Sequence, residues 1–188
     1  DGTHLAGPAY QIFAERSSRN LEFQSTYRDI SPGFSSDLGF INRTDIRRFT
    51  NFLTYTLHPE GQHLVAHGPR TFQQAIWDHK GNLLTNFING SYEWNFQRQS
   101  VADLFLNFEH ERLRPSDFST LAANRDYAHV MGGIFGATQY FKWLNISGEI
   151  DWSTATNFVP RNGPPVLAYQ NTGNFRAIVR PVKGLTVE

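Results

Sequence analysis

Residues 20–30 place Leu21, Phe23, Ser25 and Tyr27 on one side of the chain and Glu22, Gln24, Thr26 and Arg28 on the other. A period of two belongs to a strand with one apolar and one wet face, because a helix repeats every 3.6 residues. The same period returns at 45–57, where Phe49, Leu53, Tyr55 and Leu57 oppose Arg48, Thr50, Thr54 and Thr56, although Asn51 and Phe52 break the split. In 83–99, Leu84, Ile88, Tyr92, Trp94 and Phe96 oppose Thr85, Asn89, Ser91, Glu93, Asn95 and Gln97. At about 3.3 Å per residue, that run is longer than an ordinary globular strand.

Further strands read at 101–113, 126–139, 141–153 and 174–181, with weaker ones at 9–17 and at 64–79, the latter interrupted by Gly68-Pro69. Gly132, Gly133 and Gly136 imply a bend or a close backbone approach. Leu185 to Glu188 reads as the start of another strand. The fold class is therefore all-β: an antiparallel up-and-down meander of about nine to ten strands, read as an arc of a transmembrane-type β-barrel, with a soluble antiparallel sheet or barrel as the alternative that the period alone leaves open. Short turns are expected near Ser18-Arg19, 58–62, 80–82, Ser100 and Tyr140, and long connections at 31–44, 115–125 and 154–170. Long connections at one end and short turns at the other are the habit of outer-membrane barrels. The chain opens Asp-Gly-Thr-His and stops inside an alternation, so residues 1–188 read as a partial barrel domain truncated at both ends.

Composition narrows function more than it names it. Lys plus Arg and Asp plus Glu are 17 each, so no bulk field attracts nucleic acid. With no cysteine there is no disulfide framework, thiolate zinc site or thiol nucleophile. Charged residues are 18%, below the roughly 25% of a typical soluble domain. No apolar stretch is long enough for a membrane helix, which leaves strands as the way to cross a bilayer. No Gly-rich phosphate loop, Gly-x-Ser-x-Gly elbow or His-Glu-x-x-His occurs.

The stretch Tyr27-Arg28-Asp29-Ile30-Ser31-Pro32-Gly33-Phe34, followed by Leu38-Gly39-Phe40-Ile41-Asn42-Arg43-Thr44-Asp45-Ile46-Arg47-Arg48, resembles the bacterial family called domain of unknown function 5916. Ile178-Val179-Arg180-Pro181 and Gly184-Leu185-Thr186 resemble its late barrel strands. The resemblance covers roughly a quarter of the chain. It implies an outer-membrane-type barrel that follows a family-nine-type carbohydrate-binding module. The implied location is the bacterial outer membrane. The implied partners are the lipid bilayer, the rest of the barrel, that N-terminal module and a polysaccharide ligand. Some members carry a hydrolase label.

Asp29, Arg43, Asp45, Arg47 and Arg48 flank the 31–44 connection and are the first candidate site, as a charged anchor for that loop or a ligand contact. Gly33 and Gly39 there read as turn residues with positive φ. Glu109 with Glu111, and Glu149 with Asp151, are same-face carboxylate pairs of the kind glycoside hydrolysis uses, with His110 on the opposite face. A wet barrel lumen is lined with such groups anyway, so no catalytic residue is assigned. His63 and His67 share a face only on a helix, so no metal is expected, and no cofactor.

The leading expectation is a non-catalytic segment of an outer-membrane barrel, anchoring or serving as conduit for a carbohydrate-binding or carbohydrate-processing protein. The alternative is a soluble all-β carbohydrate-binding module with Trp77, Trp94, Trp143 and Trp152 as a stacking platform. A glycoside hydrolase ranks behind both.

Overall fold

The computed structural model describes residues 7–34, 44–115, 121–157 and 164–180. They form nine strands: β1 (Ala9–Ser17), β2 (Leu21–Ile30), β3 (Ile46–Tyr55), β4 (Leu64–Trp77), β5 (Leu83–Phe96), β6 (Ser100–Leu113), β7 (Arg125–Phe141), β8 (Leu144–Asn157) and β9 (Val166–Val179). All lie in one sheet in chain order, each neighbouring pair antiparallel. The meander implied by the two-residue period is the observed fold. The sheet is not closed, and β1 and β9 are its edges, as in an arc of a barrel.

Register sorts the side chains into two unlike faces. Tyr92, Leu104, Ile134 and Ile150 stand in one cross-strand row from β5 to β8, and Glu93, Asp103, Phe135 and Glu149 in the next. Leu104, Ile134 and Ile150 are 52%, 56% and 65% exposed, whereas Asp103, Phe135 and Glu149 are half-buried. The polar face is thus the more crowded one. A single sheet with no second layer among the described residues does this by curling, which packs side chains on the concave side together and spreads those on the convex side.

The concave face is not wholly polar. Phe52 and Phe72 pair across β3 and β4, Phe72 lies 5.9 Å from Phe87, and Phe105 and Phe135 continue the aromatic set. The break noted at Asn51 and Phe52 is this band. At the end carrying the long connections, Ile46, Ile76 and Leu84, with Ile30 against them, form one small core, and Leu113, Leu121 and Tyr127 another.

Several boundaries differ from the sequence reading. β9 starts at Val166 rather than residue 174, because its first half pairs with Thr154 to Asn157 of β8 and so satisfies their backbone. The connection expected over 154–170 shrinks to 158–165 accordingly. β8 begins at Leu144 and its turn is Lys142-Trp143, not Tyr140. β4 runs unbroken through Gly68-Pro69. Pro69 sits just past Arg70, the last β4 residue in the β3 ladder, where its missing N–H is not needed. Gly68 lies so close to the Tyr55 carbonyl that a Cβ would stand 1.9 Å from its oxygen. Among the described residues, positive φ is seen at Gly81 and at Asp45, Arg98 and Gln99. Gly39, and the strand expected from Leu185, lie outside the described residues.

Gly133 shows the close approach that its glycine-rich segment implies. A Cβ there would stand 2.6 Å from Phe105 Cζ and 2.7 Å from the Ile150 carbonyl oxygen. Gly133→Val is expected to lower stability by about 2–3 kcal/mol through overpacking. Gly90→Ala, with nothing within 4 Å of the new Cβ, is expected to stay within about 0.5 kcal/mol. Denaturant midpoints of the intact protein check both.

Candidate functional site

The β4–β5 turn is built around Asp78, which is 6% exposed. Its carboxylate accepts the Lys80 N–H at 3.0 Å, the Asn82 N–H at 2.8 Å and the Asn82 side-chain amide at 2.8 Å. Burial alone would raise the Asp78 pKa, but these bonds, with the charge of Arg114, hold it below the ordinary aspartate value. The same turn sets the next residue, His79, between two strands.

His79 joins the candidate residues of the long connection. Its Nε2 lies 2.9 Å from Asp29 Oδ1, and its Nδ1 lies 2.8 Å from Asp45 Oδ1. Its backbone N–H also donates to Asp45 Oδ1, at 3.2 Å. Tyr10, Tyr27 and Arg47 Nε donate to the other Asp29 oxygen, each at 3.3 Å. The two aspartates thus place a carboxylate oxygen within hydrogen-bond distance of each ring nitrogen. Asp45 takes a left-handed φ of 58° to reach the ring, a conformation that aspartate tolerates. The assembly clasps the two ends of the 31–45 connection to the β4–β5 turn.

Of the residues singled out at that connection, Asp29, Asp45 and Arg47 therefore meet, through His79. Arg48 does not, since it alternates onto the concave face opposite Arg28. Arg43 lies outside the described residues. His79 was missed because nothing in its local pattern marks it; only the register of β3 with β4 brings it to Asp29 and Asp45.

Among the described residues, two clefts on the concave face concern the candidate carboxylates. One, of about 450 Å³, is lined by Arg70, Ser91, Glu93, Asp103 and Glu149, with Arg70 and Glu93 directly paired. The other, of about 400 Å³, is lined by Phe87, Asn107, Glu109, Glu111 and His129. Beside it the β7–β8 ladder ends at Met131 and Ser153. Beyond that point side chains take over: the Thr154 hydroxyl accepts the Val130 N–H at 3.0 Å, and Thr156 Oγ1 meets His129 Nε2 at 3.0 Å.

Glu109 and Glu111 share the concave face, as do Glu149 and Asp151, but the two pairs are not together. Met131 and Ser153 lie opposite each other, so the height of Glu109 and His129 on β8 is near Ala155, four positions from Asp151 and six from Glu149, about 13 and 20 Å along the strand. Both exceed the roughly 5–9.5 Å at which two carboxyls flank one glycosidic bond. His110 points to the other face, 3.4 Å from Asp126, which Arg112 grips at 2.7 and 3.0 Å.

The four tryptophans do not form one platform. Trp77 pairs with Arg47 at the long-connection end, and Trp143 lies in the β7–β8 turn at the other end. Trp94 lies tilted against Tyr92 with ring centres 4.6 Å apart, and Trp152 lies across Gly132. His67 bonds Tyr92 at 2.5 Å. No protein-family model, curated protein or solved structure matches this chain.

Asp78→Ala leaves the turn N–H groups without their acceptor and is expected to cost about 1–2 kcal/mol at pH 7. Because the folded-state pKa lies below the unfolded value of about 3.9, the stabilisation is present above that value and is lost as pH falls through the folded-state pKa. Denaturant midpoints at pH 7 and pH 3 check this: the gap between wild type and variant should narrow at the lower pH.

Proposed function

We propose that this chain is an arc of a bacterial outer-membrane β-barrel, non-catalytic in itself, that anchors or serves as conduit for a carbohydrate-binding or carbohydrate-processing protein. One observation carries the reading: across the sheet the large apolar side chains stand exposed on the convex face while Asn, Thr, Glu and Arg crowd the concave one. A water-soluble sheet buries its apolar face under a second layer; a membrane barrel turns it to lipid and keeps water inside. The exposed set runs from Ile12 on β1 through Leu53, Ile88, Leu106 and Ile134 to Phe175 on β9.

Strand length agrees. Strands of 14 residues, such as β6, extend about 46 Å and, tilted by the roughly 40° usual in such barrels, project about 35 Å, enough for the hydrocarbon layer. The ladders leave few backbone groups unpaired except at β1 and β9, which further strands of a closed barrel would cover. On the inner wall, Glu93, Asp103, Glu109, Glu111, Glu149 and Asp151 make β5 to β8 acidic, while Arg28, Arg48 and Arg70 line β2 to β4. Such a wall suits hydrated polar solutes. The resemblance described above supplies the carbohydrate part of the reading, with the clasped 31–45 connection at the loop end where a polymer would meet the barrel. The scattered tryptophans give a soluble sugar platform no comparable support.

The test is detergent partition of the intact protein with heat-modifiable gel migration, paired with two substitutions. Ile134→Arg, outward and central, is expected to cost about 2–4 kcal/mol or block assembly, whereas Thr50→Lys, inward, should stay within about 1 kcal/mol. Aqueous partition together with a harmless Ile134→Arg would sink the proposal.

A further inference from the structure

We propose that the short-turn rim from β5 to β9 docks an anionic phospholipid, its phosphate held by Arg98, Lys142 and Arg180 and its acyl chain laid in the apolar groove beside them. This rests on the membrane reading above and names the lipid that one part of the surface would select.

The three cations are exposed and lie along one rim, in the β5–β6 turn, the β7–β8 turn and at the end of β9. Direct contacts join their segments. The Arg98 guanidinium sits 4.1 Å from the Tyr140 ring centre, and the Arg180 N–H donates to the Trp143 carbonyl at 2.7 Å. A register shift between Thr138 and Phe141 accompanies the placement of Tyr140 over the β5–β6 turn. No Asp or Glu occurs in 94–102, 137–148 or 175–180. Several other cations have acidic company: Arg47 pairs with Asp29, Arg70 with Glu93 and Arg112 with Asp126, while Arg28 and Arg48 face each other on the concave wall with Arg28 bonded to Gln11. On this rim, at the edge of the convex apolar face, three exposed cations lie in segments without a carboxylate, so an outside anion complements them.

The surroundings fit a lipid. Phe96, Tyr140, Phe141 and Trp143 are 40% to 54% exposed and form an aromatic rim, with Phe141 stacked on Trp143 at 5.6 Å. Aromatic residues of this kind sit at the headgroup level of membranes, where one end meets lipid and the other water. Beside the rim runs a groove of about 730 Å³ lined by Trp94, Leu104, Ile134, Gly148, Ile150 and Phe175 on the convex face. Its walls are paired strands whose N–H and C=O groups are committed to the ladders. A peptide backbone laid there would lose its hydrogen bonds with water and gain none, whereas an acyl chain has none to lose.

The probe is brominated-chain phosphatidylglycerol against brominated-chain phosphatidylcholine in vesicles carrying the intact protein, read by tryptophan quenching. Wild type is expected to favour phosphatidylglycerol by roughly threefold or more, since each basic residue near an anionic surface contributes to binding. The preference should fall towards one at about 0.5 M salt, where charges are strongly screened, and in R98Q/K142Q/R180Q with heat-modifiable migration intact. If that variant does not fold, R16Q/R19Q and the wild-type salt titration carry the test. The first should keep the preference and the second should abolish it. A wild-type ratio near one, or an unchanged ratio in the folded triple variant, overturns the proposal. An aqueous protein quenched by neither lipid shows instead that the membrane reading failed, and this proposal with it.

Discussion

Interstrand backbone hydrogen bonding is the constraint on which everything else here depends. The described chain has one layer, and its buried hydrophobic clusters are two small ones at one end, so the sheet cannot rest on a core of the ordinary kind. Eight consecutive antiparallel ladders take that place. Local departures occur where the ladder can tolerate them: Pro69 stands in the gap between the Thr54–Arg70 pair and the Leu57–His67 bridge, and Thr154 supplies an acceptor where β7 and β8 part. In a medium without water these bonds gain weight, because an unpaired N–H or C=O has no substitute partner.

Curvature then gives the two faces different roles. Crowding on the concave side lets Phe105 occupy the space above Gly133, and it holds Glu93, Asp103 and Glu149 near one another in a wet cleft. Spreading on the convex side leaves Leu104, Ile134 and Ile150 open. The ends differ too. One is tied by buried polar groups, with Asp29 and Asp45 on His79 and Asp78 organising its own turn; the other is an aromatic and basic rim with little buried polar structure. A clasp suits a long connection whose closure has an entropic cost, whereas short turns need no such tie.

Much of the fold was legible because a strand writes its period into neighbouring residues. The alternation in 20–30 and 101–113 returned β2 and β6 almost to the residue. The failures are equally specific. The first half of β9 has little large alternation around Asn171 and Gly173, and it is a strand because β8 offers unpaired backbone beside it. Phe52 looked like an error in the pattern, yet it belongs to an inner aromatic band that no single strand displays. Three of the charged residues at the 31–45 connection gather around one histidine, which lies more than thirty residues along the chain from Asp45, beyond the reach of local pattern.

By itself, the sequence determined the strand type, the antiparallel order and which side chains share a face, since all three follow from a period of two and from short turns. Tertiary structure decided which face is crowded, which carboxylates and cations meet, and where the ladder yields. Those depend on the curl of the sheet and on register between distant strands, and a shift of one residue in register would exchange the two faces entirely.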